Sequence, residues 1–144
     1  MVEMAEIRSE IEHGKIDFTK RDPHAVAGLL KSFFRELPEP IITREYNTAI
    51  TAMLGYGSGP DVVEEIRNVL RSLPTPNYEL WKIIVAFLLH VDAHSDKNKM
   101  PVANLLRVMT PTLNCAPGLI SMSMEQYSYF FDGMYREKCI ETDF

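Results

Sequence analysis

Residues 22–40 read DPHAVAGLLKSFFRELPEP, and this stretch decides the fold class. Asp22 is suited to an N-cap and Pro23 to the first helical position, where its missing N–H costs nothing. Val26, Leu29, Leu30, Phe33, Phe34 and Leu37 then recur at intervals of three and four, which predicts a helix with one buried face. At about 100° per residue, His24, Gly28, Lys31 and Arg35 fall together on the opposite side. Leu37-Pro38-Glu39-Pro40 ends the helix, because a residue before proline is driven out of the α region. Gly28 lacks a side chain beside two cations, so another backbone could approach there. Taken by itself, the pattern reads first as an ordinary solvated lysine–arginine face carrying a tolerated glycine.

Working outward, the chain reads as successive helices without a convincing strand. Met4, Ile7 and Ile11 line a first helix, with Gly14 as its C-cap. Thr43 caps a helix bearing Tyr46, Ile50, Met53 and Leu54. The run from Gly55 to Pro60 is a flexible loop. It ends in proline, not the Gly-Lys-Ser/Thr of a phosphate cradle. A further helix spans about 60–71, and Leu73-Pro74-Thr75-Pro76 breaks it. Asn77 is expected to cap the next helix. That helix is apolar on nearly every side, as at the centre of a bundle. Pro101 opens another helix, with Val102, Leu105, Leu106 and Met109 as its apolar face and Asn104 and Arg107 on its polar flank. Pro111 is expected to end it. Ser123 and Gln126 have the spacing of a capping box, opening a last helix with Tyr127, Phe130, Phe131 and Met134.

Composition narrows the function classes. At 144 residues, 46% hydrophobic and 24% charged, the chain is expected to be one domain over 1–144, all-α, with a real core. A formal net charge of −5 disfavours general nucleic-acid binding. No stretch is long and apolar enough for direct membrane insertion. Cys115 and Cys139 match no zinc spacing, and their scarcity fits a cytoplasmic setting. His90 and His94 stand four apart on one helix, but position 91 is valine and no third ligand stands out, so no metal is expected. Nucleophile elbows and dinucleotide fingerprints are absent, so the chain is read as having no active site of its own.

The quoted stretch also resembles the GTPase-activating domain for Rho-type small GTPases, the RhoGAP family. A second block, Asn98-Lys99-Met100 followed by Asn104-Leu105 and Pro111-Thr112-Leu113, resembles the family's NKM…NL…P-x-L run. Between them, Leu73-Pro74 and Asn77-Tyr78 resemble its LP…N segment. The ordered set spans Asp22 to Leu113. The resemblance implies a RhoGAP-like helical bundle that binds a Rho-family GTPase of Rho or Rac type. GTP and magnesium would belong to that partner, and this chain would carry no cofactor. Lys31 and Arg35 match the family's motif lysine and arginine, which support the family's own finger loop and touch the GTPase. Asn104 matches the asparagine near the nucleotide, and Pro111 the proline that shapes the contact groove. His24, Gly28 and Arg107 are further candidate groove contacts, and Lys99 is given a structural role. Leu106, where the family has a small residue, and Met109-Thr110, in place of Phe-Gly, are departures beside Asn104.

In that family an arginine finger lies in a G-x-F-R-x-x-G-like motif, N-terminal to the region matched here. No such motif occurs in these residues. The reading is therefore of an N-terminally truncated bundle with no catalytic residue and no strong activation of its own. Three alternatives remain open: a piece of an ordinary activator, a natural fingerless RhoGAP-like binding module without GTPase-activating activity, or a helical interaction domain with no GTPase partner. A missing first helix would also uncover apolar surface, so a homodimer or helix swap is expected.

Overall fold

A computed structural model describes residues 23–131, with side chains from Ala25 onward, together with Glu6, Ser9 and residues 12–14. The expected apolar face at Met4, Ile7 and Ile11, the Asp22 cap, the His24 side chain and Met134 lie outside the described residues. The described residues form helices and connecting turns, with no strand among them. In order, α1 is Pro23–Arg35, α2 Arg44–Leu54, α3 Pro60–Arg71, α4 Thr75–Ala93, α5 Ser95–Asn98, α6 Val102–Leu113, α7 Leu119–Glu125 and α8 Tyr127–Phe131. The chain divides into two compact units, Met1–Pro38 and Glu39–Phe144.

In the first unit, α1 starts at Pro23 and stops at Arg35, just before the Pro38/Pro40 pair. Its apolar stripe is not uniformly buried. Leu29 and Phe34 are buried, whereas Leu30 and Phe33, at the centre of the stripe, are 47% and 54% exposed. Periodicity records which side chains share a face; burial requires something laid across that face. Gly14, the expected C-cap, has a φ of +69°, a left-handed conformation that suits glycine.

In the second unit, α2 packs on α3, α3 on α8, α4 on α7 and α8, and α6 on α7. The core stripe of α4 is Trp81, Ile84, Val85 and Leu88. The helix α7, which packs on α4, carries Leu119, Ile120, Met122 and Met124, all buried. The centre of the bundle is therefore one face of α4, not its whole circumference: Ile83 and Phe87, on the far side, are 47% and 43% exposed. The Gly-rich run between α2 and α3 is a loop as read, with Gly57 at φ +113° and Tyr56 at its exposed tip.

Three sequence expectations are corrected here. Asn77 does not cap α4. The helix begins at Thr75 with Pro76 in its first turn, and the Asn77 side chain donates to the Ile41 carbonyl at 2.8 Å. That bond ties the buried Ile41–Ile42 segment to α4. Ser123 does not open a capping box either. It lies inside α7, fully buried, where its Oγ accepts the Trp81 indole N–H at 3.2 Å. A buried indole N–H needs an acceptor, and this requirement outranks a surface cap.

Pro111 does not end α6. The helix runs on to Leu113 with the proline inside it. Thr112 Oγ1 bonds back to the Val108 carbonyl at 2.7 Å, and Asn114, at φ +50°, supplies the left-handed stop. Thr112 and Leu113 are buried, so packing of that extra turn offsets the hydrogen bond a proline cannot make.

Replacing Ser123 by Ala should leave the Trp81 N–H buried without an acceptor. The expected loss is about 1–3 kcal/mol. Urea denaturation of Ser123→Ala beside Ser123→Thr, which keeps a hydroxyl, checks it; equal stability of the alanine variant and the parent would refute the role given to this bond.

Candidate functional site

The sequence-derived candidates fall into two sets, one in each compact unit. In the first, Gly28 and Lys31 are half-buried and Arg35 is exposed at the last residue of α1. Their intervals of three and four residues place them along one line of the helix. Arg35 also lies in the last turn, where a cation complements the negative end of the helix. Two cations thus stand one turn apart beside a glycine.

In the second unit, α6 carries Asn104, Arg107 and Pro111. Arg107 and Pro111 are exposed and Asn104 is half-buried on the edge of the same face. Leu105, Thr112 and Leu113 lie on the side turned to the core. Over seven residues the face from Asn104 to Pro111 is about 10 Å long. Ala103, between the half-buried Val102 and Asn104, is exposed as well, so the face has a small residue on one border. The departures Leu106, Met109 and Thr110 are all half-buried. They border this face without occupying its centre.

Both ends of α6 are held by polar contacts. Before it, Asn98 bridges: its Nδ2 donates to the Val91 carbonyl at 2.8 Å, and its Oδ1 accepts the Met100 N–H at 2.8 Å. Lys99 adopts the left-handed conformation at φ +59°, with its Nζ donating to the Asp96 carbonyl at 2.9 Å. The Asn98-Lys99-Met100 turn therefore fixes how the chain enters α6. After the helix, Asn47 of α2 acts as a clamp. Its Oδ1 accepts the Ala116 N–H at 2.7 Å, and its Nδ2 donates to the Asn114 carbonyl at 3.3 Å. Sequence reasoning passed over Asn47, since nothing local distinguishes a helical asparagine whose partners lie 67 and 69 residues away.

Other chemistry-bearing groups do not assemble a site. The His90 and His94 rings are 4.8 Å apart, and His94 Nδ1 lies 3.0 Å from the His90 carbonyl. Among the described residues no group of three or more His, Cys, Asp or Glu side chains is placed to hold a metal ion. Cys115 is buried, and that burial pushes its thiol up to about 12 despite a backbone hydrogen bond that acts the other way. At neutral pH it is a protonated, unreactive core residue. Among the described residues no helix is long and apolar enough to cross a membrane.

Comparison with known proteins gives a consistent picture. The family model described as the RhoGAP domain matches residues 2–117. The chain is 42% identical over 100 residues to the Rho GTPase-activating protein gacJJ of Dictyostelium discoideum, covering 69% of this chain and 12% of that protein. It is 37% identical over 99 residues to human Rho GTPase-activating protein 1, covering 68% of this chain and 22% of that one. A probable inactive serine/threonine-protein kinase of Dictyostelium discoideum is 36% identical over 132 residues, 90% of this chain and 11% of the kinase. The chain thus spans between about a tenth and a quarter of these relatives. Among solved structures, the BH domain from GRAF, the GTPase regulator associated with focal adhesion kinase, superposes with a TM-score of 0.71 at 19% identity. That likeness covers 92% of this chain and 81% of the other and is one of fold.

If Asn47 sets the end of α6, Asn47→Ala should cost about 1–3 kcal/mol, because it removes both partners of the turn at once. Hydrogen exchange should quicken at Ala116 more than at residues of α3. Uniform quickening across both would count against a local clamp.

Proposed function

The chain belongs to the RhoGAP domain family, and on that premise we propose that it is a docking module for Rho-type small GTPases, with α1 and α6 as its contact elements. The observation carrying this reading is that the family match takes in Lys31, Arg35, Asn104 and Pro111 together. The exposed face of α6 supports it, since Arg107 and Pro111 stand open beside Asn104. In this role Lys31 and Arg35 present positive charge to the partner. Asn104 offers an amide that both donates and accepts, suited to a nucleotide-proximal loop. The chain regulates a reaction whose nucleotide, metal and attacking water sit in the partner.

Acceleration of GTP hydrolysis needs charge stabilisation on the transferring phosphoryl group, and an arginine supplied in trans is worth about 10³–10⁵ in rate. No G-x-F-R-x-x-G motif occurs within these 144 residues. We therefore assign this chain binding with weak or no acceleration. The second reading, a RhoGAP-like interaction module without activating activity, is favoured by the same missing motif.

Single-turnover GTP hydrolysis by Rho and Rac proteins, with and without the chain, tests the first point beside a binding assay. Measurable binding with little acceleration is expected, and Lys31→Ala and Asn104→Ala should each weaken binding several-fold. Acceleration near the full finger value would mean that an arginine such as Arg21 or Arg44 substitutes, and alanine at each would identify it. Binding indifferent to both substitutions would remove the GTPase reading.

Self-association is a separate part of the proposal. Ile83 and Phe87 form an exposed apolar pair on α4, and Leu30 and Phe33 another on α1. Light scattering at rising concentration should reveal a dimer or larger species, diminished by Phe87→Ser or Phe33→Ser; a monomer at all concentrations would refute it.

A further inference from the structure

Residue 107 offers two polar groups to the same side of α6. Its guanidinium belongs to an exposed residue on the face that holds Asn104 and Pro111. Its backbone carbonyl would ordinarily accept the N–H of the residue four positions on. That residue is Pro111, which has no N–H and lies inside the helix. A proline ring inside a helix also crowds the carbonyl four residues back. Position 111 is itself exposed, so the interrupted rung lies on the outer face. The next rung is altered too, because the Val108 carbonyl takes the Thr112 hydroxyl at 2.7 Å. The turn nevertheless stays helical, held by buried Thr112 and Leu113 and by the Asn47 clamp on Asn114 and Ala116. An acceptor without its helical donor is thus kept in a fixed place, one turn from an amide and on the same residue as a cation.

We infer that Arg107 is a specificity-determining contact for the GTPase, its guanidinium pairing with a carboxylate of the partner while its carbonyl accepts a hydrogen bond from a neighbouring N–H or O–H of that partner. This rests on the GTPase-docking reading above and adds to it which chemistry the partner must present: an acidic group adjacent to a donor. In a chain of net charge −5, a lone cation on this face sets the sign of the local field that an acidic partner meets. A carbonyl whose partner four residues on is a proline gives up no such rung when it accepts from the GTPase.

The two halves are separable by experiment. Binding of the full chain to Rho and Rac proteins loaded with a non-hydrolysable GTP analogue is measured from low to high salt. Arg107→Ala should weaken binding about five- to tenfold at low salt, with the difference shrinking as salt rises. Asn104→Ala should weaken it at every salt concentration. Pro111→Ala and Pro111→Val both restore an N–H to the Arg107 carbonyl. Each should raise the melting temperature yet weaken binding, valine included although it keeps apolar bulk at the position. Unchanged affinity in Arg107→Ala at low salt would overturn the charge contact. Affinity retained in Pro111→Val but lost in Pro111→Ala would overturn the carbonyl contact, leaving only the ring. If Lys31→Ala and Asn104→Ala weaken binding while the residue 107 and 111 variants do not, this inference fails and the docking reading stands. If the parent chain binds neither GTPase, both fail together.

Discussion

Burial of one face of α4 is the constraint on which the second compact unit depends. Trp81, Ile84, Val85 and Leu88 recur along that face, and α7 and α8 lie across it. An indole cannot be buried for its area alone, because its N–H must find an acceptor in the same place. Ser123 provides one, and this fixes the rotation of α7 about its own axis as well as its position. Tyr78 repeats the device near the start of α4, with its hydroxyl donating to the Phe130 carbonyl at 3.2 Å. Apolar area supplies the driving force, about 25 cal/mol per Å². The two polar tips decide the register in which it is used.

Polar cross-links of the same kind place the candidate face of α6. Asn77, Asn47 and Asn98 each use a side-chain amide to satisfy main-chain groups at a helix boundary. An amide suits this task because it carries a donor and an acceptor on one rigid group. Two of these asparagines bracket α6, one at its entry and one just past its exit. The face carrying Asn104, Arg107 and Pro111 is therefore held from behind, by residues that need never touch a partner. Such a face loses little entropy on docking, which is the advantage of preorganisation.

Proline inside α6 shows how a local rule and a tertiary demand are reconciled. In isolation Pro111 would stop a helix. Here the turn beyond it buries Thr112 and Leu113, and a left-handed asparagine closes it three residues beyond Thr110, where local rules place the end. The rung that Pro111 cannot complete lies on the side where position 111 is exposed, instead of in the core where it would be costly. The Trp81–Ser123 pair resolves its conflict in the opposite direction, by keeping both polar atoms inside and joining them.

What the amino-acid order determined by itself is the family and most of the helices, though not α5 or α7. Apolar recurrence at three and four residues marked α1, α2 and α6, prolines marked most of the helix borders, and the motif residues from Asp22 to Leu113 carried the resemblance. These signals are local: each depends on residues within a few turns, where backbone sterics and side-chain periodicity act. The tertiary structure alone decided the partners of Asn47, Asn77 and Ser123, the passage of α6 through Pro111, and which parts of the apolar stripes on α1 and α4 stay in contact with water. The partners of those three side chains lie 36 to 69 residues away along the chain. A buried polar atom takes whichever partner packing brings within 3 Å or so, and that choice is made in space.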